Sequence, residues 1–164
     1  TCKWGGTVPA GKVLVDGSPL VPVGRLSGHA SPVQLLWQHP EQAFDPRMRL
    51  GRSLSEVSGA NEQILDELLS AFGASQEWLA RRPNELSGGE LMRLAMVRAL
   101  ACRPRYLIAD ESTAMLDAAT QAELWHVLMG LQERDGWGLA LVSHSPALVS
   151  RVATRTFQLA GAGK

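Results

Sequence analysis

Tyr106-Leu107-Ile108-Ala109 is a short apolar run that stops on two carboxylates, Asp110 and Glu111, with helix-patterned segments on either side of it. Such a run reads as a strand driven into a sheet, and its polar end marks the edge where open α/β sheets place their ligands. Leu91 to Ala101 before it is patterned as a helix. Ala118 to Arg134 after it is another, with Leu124, Val127, Leu128 and Leu131 on one face. Gly138 to Val142 returns to strand, Pro146 to Val152 forms a further short helix, and Thr154 to Leu159 is expected as a last strand. Nearer the start, Gly11 to Gly17 reads as a strand closed by an Asp-Gly turn and Val33 to Trp37 as another strand. Asn61 to Phe72 carries Ile64, Leu65, Leu68, Leu69 and Phe72 at amphipathic helical spacing. Strands alternating with helices specify an α/β fold with a mostly parallel sheet. The expected division is a core of residues 1–45 and 102–164, with a helical subdomain of residues 46–101 inserted into it.

Composition narrows the partners. The chain has 164 residues, 45% of them hydrophobic and 20% charged, which suits one ordinary globular domain with a real core. Sixteen basic residues balance sixteen acidic ones, so no basic field marks nucleic acid or lipid as the main partner. Cys2 and Cys102 lack metal-ligand spacing and read as two reduced thiols. No apolar stretch reaches the roughly 20 residues needed to span a bilayer, and residues 1–20 do not have the pattern of a secretory signal. The chain opens on Thr-Cys-Lys-Trp without an initiator Met, and is expected to be a piece of a longer protein.

Four short motifs follow one another in a fixed order: Leu86-Ser87-Gly88-Gly89-Glu90 at a helix start, the strand ending in Asp110-Glu111, Met115-Leu116-Asp117, and Ser143-His144 after the strand Gly138 to Val142. In this order they resemble the second half of an ATP-binding-cassette (ABC) ATPase, and the resemblance covers nearly the whole chain. It implies a P-loop NTPase-like (RecA-like), mostly parallel core, truncated at the N-terminus, with ATP and Mg²⁺ as cofactors. By the same resemblance Asp110 would hold Mg²⁺, and Glu111 would polarise the water that attacks the γ-phosphate. His144 would touch that phosphate, and Asp117 would lie in a loop crossing to a partner subunit. Gln38, in Leu36-Trp37-Gln38-His39-Pro40, matches the glutamine that reaches Mg²⁺ and water at the hinge to the helical subdomain. Leu86 to Glu90 resembles the family signature, where a hydroxyl, bare glycine amides and a helix N-terminus meet the γ-phosphate of ATP held by the opposite subunit. Most members carry Gln where this chain has Glu90. Ser87 to Glu90 also has the pattern of a capping box.

One P-loop-like run is rejected. Gly6 to Val13 has the right glycine and lysine spacing, but Val13 offers no hydroxyl to Mg²⁺, and Lys12-Val13-Leu14-Val15 is patterned as strand where a P-loop opens a helix. The true phosphate-cradling loop is expected before residue 1, which would leave these 164 residues inactive alone.

The run Ala43-Phe44-Asp45-Pro46-Arg47-Met48 is similar to one that follows the glutamine loop in importers of peptides and nickel. The resemblance therefore implies the ATP-hydrolysing subunit of an importer of that group. It would be peripheral on the cytoplasmic face of the inner membrane, paired with a second ATPase subunit and with integral membrane permease subunits. The alternative is a non-transport ABC ATPase acting as a clamp on DNA or the ribosome, which the neutral charge and short helical insert disfavour. Trp37, Phe44, Met48 and Leu50 either form an exposed apolar groove for the permease or belong to the subdomain core.

Overall fold

The structure is a computed structural model that describes residues 13–19, 31–57 and 60–158. A two-stranded hairpin, β1 (Leu14–Val15) and β2 (Ser18–Pro19), turns through Asp16 and Gly17, both with positive φ, as the Asp-Gly pair requires. β3 (Val33–Leu36) leads into the helical region: α1 (Leu50–Ser55), α2 (Glu62–Ala71) and α3 (Gly88–Ala101), joined by short 3-10 turns. β4 (Tyr106–Asp110), α4 (Ala118–Asp135), β5 (Gly138–Val142) and α5 (Pro146–Val152) complete the order.

β3, β4 and β5 form one parallel sheet with β4 in the middle. The register pairs Leu36 with Ala109 and Asp110 with Val142, so the polar ends of all three strands reach the same edge. Leu107 and Ala109, which share one face of β4, are fully buried, while Ile108 on the other face is half-buried. α3 supplies much of the core: Leu91, Met92, Leu94, Ala95, Met96, Val97, Ala99, Leu100 and Ala101 are all buried. A helix apolar nearly all round must be enclosed, and α3 packs against α2 on one side and β3 on the other. α2 contributes Leu68 and Leu69, with Phe72 sealed just beyond its end. α4 lays Leu124, Trp125, Leu128 and Leu131 on the core, while Val127 is half-buried.

Polar ties fix these helices to one another. Arg93 of α3 donates to the Phe72 carbonyl at 2.6 Å, ending α2, and pairs with Glu123 of α4 through both guanidinium nitrogens, the shorter contact 2.8 Å. Arg134 bridges Glu67 of α2 and its neighbour Asp135. At the opposite end of the sheet, Tyr106 donates its hydroxyl to Asp16 at 2.6 Å and Arg105 pairs with the same carboxylate at 2.8 Å, anchoring the hairpin turn.

Three expectations are corrected. Thr154 to Gln158 are exposed and form no strand, because no ladder partner lies beside them among the described residues; Leu159 lies outside those residues. Phe44 and Leu50 are buried in the core, Met48 and Trp37 are half-buried, and no large apolar side chain from 31 to 57 is exposed among the described residues. Phe44 and Leu50 therefore belong to the core, and Met48 and Trp37 stay partly accessible. The predicted strand at Gly11 to Gly17 is also shorter, covering Leu14–Val15, with residues 11 and 12 outside the described residues.

α4 ends at Gly136, whose φ of 72° is left-handed and whose N–H reaches the Gln132 carbonyl at 2.8 Å. A side chain there strains the backbone by about 1 kcal/mol or more. Gly136→Ala should therefore lower stability by about that amount, read as a smaller urea midpoint at unchanged slope.

Candidate functional site

β4 delivers Asp110 to the sheet edge with its side chain exposed, and the chain then turns sharply. Glu111 has a φ of 45°, a left-handed conformation that costs an L-residue about 1–2 kcal/mol. Two backbone bonds hold it there: its N–H donates to the Val142 carbonyl at 3.0 Å, and its own carbonyl accepts from Ala114 at 3.0 Å. The turn aims the Glu111 carboxylate at His144, whose Nε2 lies 2.9 Å from Oε1. At that distance the two groups form an ion pair when the imidazole is protonated. The imidazole is 94% exposed and the carboxylate 26%, so the pair stands at the mouth of the site with its acid recessed.

Behind the pair is an open cleft of about 360 Å³, walled by Glu111 to Ala114 and by Leu141 to Ser145. Gln121 and Trp125 of α4 and Leu148 of α5 complete it. Thr113 is buried and pins the Glu111 loop to α4: its hydroxyl oxygen accepts from Trp125 Nε1 and from Gln121 Nε2, each at 2.9 Å, and its carbonyl accepts from Gln121 at 3.0 Å. None of these three residues stands out in the sequence. The one signal there is that Gln121 and Trp125 sit four apart on one helix face, which by itself says nothing about a loop several residues upstream. On the other wall, Ser143 accepts from the Ser145 amide at 3.1 Å and Ser145 caps α5, which fixes the backbone on both sides of His144.

Gln38 lies two residues past Leu36, the partner of Ala109, so it leaves the sheet at the same edge as Asp110 and Glu111; it is exposed. Asp110 and Gln38 each carry a side-chain oxygen at that edge, the donor type that suits a hard divalent cation. The cluster of Leu86 to Glu90 is elsewhere. None of these residues lines the cleft, so within one chain the signature-like turn and the Glu111 pair are separate. Leu86 is half-buried against the core, and Ser87 caps α3. The Ser87 hydroxyl oxygen accepts from the Glu90 amide at 3.3 Å, while the Glu90 carboxylate accepts from both the N–H and the hydroxyl of Ser87, each at 2.8 Å. Those bonds, with Arg81 nearby, hold the Glu90 carboxyl below the usual carboxylate range. A Cβ on Gly89 would meet the Thr120 methyl at 3.6 Å, so this turn sits beside the start of α4. There Asp117 is the N-cap, accepting from the amides of Ala119 and Thr120 and from the Thr120 hydroxyl at 2.6 Å. The Thr120 bonds lower its pKa.

Val13 passes directly into β1, so the P-loop-like spacing that ends at Lys12-Val13 is followed by strand. Cys102 donates to the Arg98 carbonyl at 3.6 Å; Cys2 lies outside the described residues.

The family model for the ABC transporter matches residues 5–114, more than half of the chain. This chain belongs to the ABC transporter family. It is 32% identical over 156 residues to the probable peptide ABC transporter ATP-binding protein y4tS of Sinorhizobium fredii, covering 89% of this chain and 44% of that one. A putative peptide import ATP-binding protein of Brucella abortus is 35% identical over 131 residues, covering 75% and 39%. The fold is similar to a solved dimeric ATP-binding cassette in a post-hydrolysis state bound to ADP and Pi, with 25% identity and a TM-score of 0.60 over 71% of this chain and 53% of that chain. The chain thus spans less than half the length of the curated relatives it matches. The mostly parallel α/β sheet read from the strand and helix order, and the P-loop NTPase-like architecture that the resemblance implies, agree with the fold of those cassettes.

Removing the Thr113 hydroxyl leaves Trp125 Nε1 without an acceptor in a buried position, which costs about 1–3 kcal/mol. Thr113→Val keeps the shape, so it should lower the thermal midpoint by several degrees and raise the mobility of Glu111 to Ala114, seen as faster amide exchange in that loop.

Proposed function

We propose that this chain forms the catalytic and signature-bearing part of the ATP-binding subunit of an ABC importer for peptide-type solutes, which hydrolyses ATP to ADP and phosphate between two such subunits. The observation that carries this reading is the Glu111–His144 contact of 2.9 Å at the end of β4, beside Asp110. In this reading Glu111 accepts a hydrogen bond from the attacking water and polarises it. His144, which stands 2.9 Å from that carboxylate, touches the γ-phosphate and links it to the base. Gln38, leaving the same sheet edge, orients the water from the other side and links the site to the helical insert of residues 46–101. Asp110, with Gln38, would hold Mg²⁺, which when bound neutralises charge on the phosphates. Such chemistry is mainly positioning and charge stabilisation, which suits a base locked in one strained conformation.

Leu86 to Glu90 and Asp117 are absent from the cleft, and in this reading they act across the dimer on nucleotide held by the partner. The proposed assembly pairs two ATP-binding subunits, identical or different, with integral membrane permease subunits, at the cytoplasmic face of the inner membrane. Support comes from relatives named for peptide import and from the dimeric cassette of similar fold. No helix among the described residues is long and apolar enough to cross a membrane, which fits peripheral attachment. The balanced charge gives no support to a nucleic-acid partner.

In the full-length protein, Glu111→Gln should abolish hydrolysis while leaving ATP binding, because the amide keeps the shape and loses the charge that polarises water; Asp110→Asn should weaken Mg²⁺ binding as well. Turnover and equilibrium nucleotide binding check both, and normal turnover in the Glu111→Gln variant removes the base assignment. The 164-residue chain alone should bind Mg-ATP far more weakly than the micromolar range and show negligible turnover, because Gly6 to Val13 lacks the hydroxyl of a P-loop and runs into strand. Calorimetry on the isolated chain tests this directly.

A further inference from the structure

The turn at Ser87 to Glu90 is already occupied by a negative charge of its own. Ser87 has a single hydroxyl proton, and it points to the Glu90 carboxylate at 2.8 Å; the same oxygen also takes the Ser87 N–H at 2.8 Å. The carboxylate therefore sits at the positive end of α3, where a helix of 14 residues presents its unpaired amides. Arg81 is the charged group that faces it, and it favours the ionised form. A neutral amide of the same shape would behave differently. An amide oxygen in the same place would still meet the Ser87 N–H and hydroxyl but carry no charge, so it would hold the hydroxyl proton more weakly and would not repel a phosphate. Gly88 would give an incoming phosphate room, since nothing lies within 4 Å of where its Cβ would be. What opposes the phosphate is the like charge of Glu90 and the proton it has taken.

We propose that Glu90 is a self-capping attenuator of the signature turn: by holding the Ser87 proton and the α3 N-terminus, it weakens this chain's contact with the γ-phosphate of ATP bound by the partner subunit. The inference rests on the trans role given to Ser87 to Gly89 above. It makes the strength of that contact a property of one side chain, and it predicts coupling between positions 87 and 90 that simple capping does not.

The test uses the complete full-length transporter complex carrying Glu111→Gln to suppress turnover, with half-saturating Mg-ATP and Mg-ADP measured for four forms: unchanged at 87 and 90, Glu90→Gln, Ser87→Ala, and both together. Glu90→Gln should tighten ATP by about tenfold or more, the worth of one hydrogen bond to a charged group, and leave ADP unchanged because ADP has no γ-phosphate. Ser87→Ala should weaken ATP in both backgrounds, but by a larger factor in the Glu90→Gln background, where it should cancel most of the gain. Thermal melts establish that all four forms are folded. Equal ATP affinity with and without Glu90→Gln, with Ser87→Ala weakening both alike, overturns the attenuator while keeping the trans contact. Tightening of ATP and ADP together overturns it too, as an effect of structure alone. If Ser87→Ala moves ATP in neither background, the trans reading falls and the attenuator falls with it.

Discussion

The parallel pairing of β4 between β3 and β5 is the constraint on which the rest depends. Among the described residues one face of this strand is sealed, at Leu107 and Ala109, with α3 packed on β3 and α4 laid on the core, while Ile108 on the other face is half-buried. Because neighbouring strands run the same way, their C-terminal ends fall together, and any polar residue that follows an apolar run is delivered to one edge. Glu111, Val142 and His144 meet for that reason, although a whole helix and strand separate the two functional side chains along the chain.

Two glutamates show how local backbone decides what a carboxylate can do. Glu111 is held in a left-handed turn by bonds to β5 and to Ala114, and its side chain answers to His144 across the sheet edge. That conformation is disfavoured in isolation, and tertiary contacts maintain it, as is common where a side chain must be aimed. Glu90 is in the opposite condition. It lies in an ordinary first helical turn with its charge satisfied by Ser87 and by the helix, so nothing in its surroundings is strained. The first is held by contacts across the sheet edge and the second by its own helix turn, although the residue type is the same.

The helical region links these two places. α3 begins at the Ser87 cap, runs through the core and ends just before β4, while Arg93 ties it to the end of α2 and to α4. Gly89 lies beside Thr120, next to the Asp117 cap of α4, and α4 carries Gln121 and Trp125 to the Thr113 loop. A continuous set of packed and hydrogen-bonded groups therefore connects the signature turn to the loop that carries Glu111. Continuity of this kind is a structural fact about one conformation, and coupling through it is a matter for measurement.

The amino-acid sequence by itself determined the element order, the parallel α/β class and the short motifs, because hydrophobic periodicity, caps and turn residues act over a few neighbours. α2, α3, α4, β5 and α5 all form close to where their patterns predict them, and Ser87 to Glu90 caps its helix as the spacing requires. Where local pattern was not enough, burial or pairing decided. Phe44 and Leu50 read equally well as surface or core until packing enclosed them, and Thr154 to Gln158 had strand character but no strand to pair with among the described residues. Only the tertiary structure brought Thr113, Gln121 and Trp125 together behind Glu111, turned Glu111 left-handed toward His144, and gave the Ser87 proton to Glu90. Those outcomes depend on distances between groups far apart in the chain or on which of two acceptors takes one proton, and neither is written in the order of residue types.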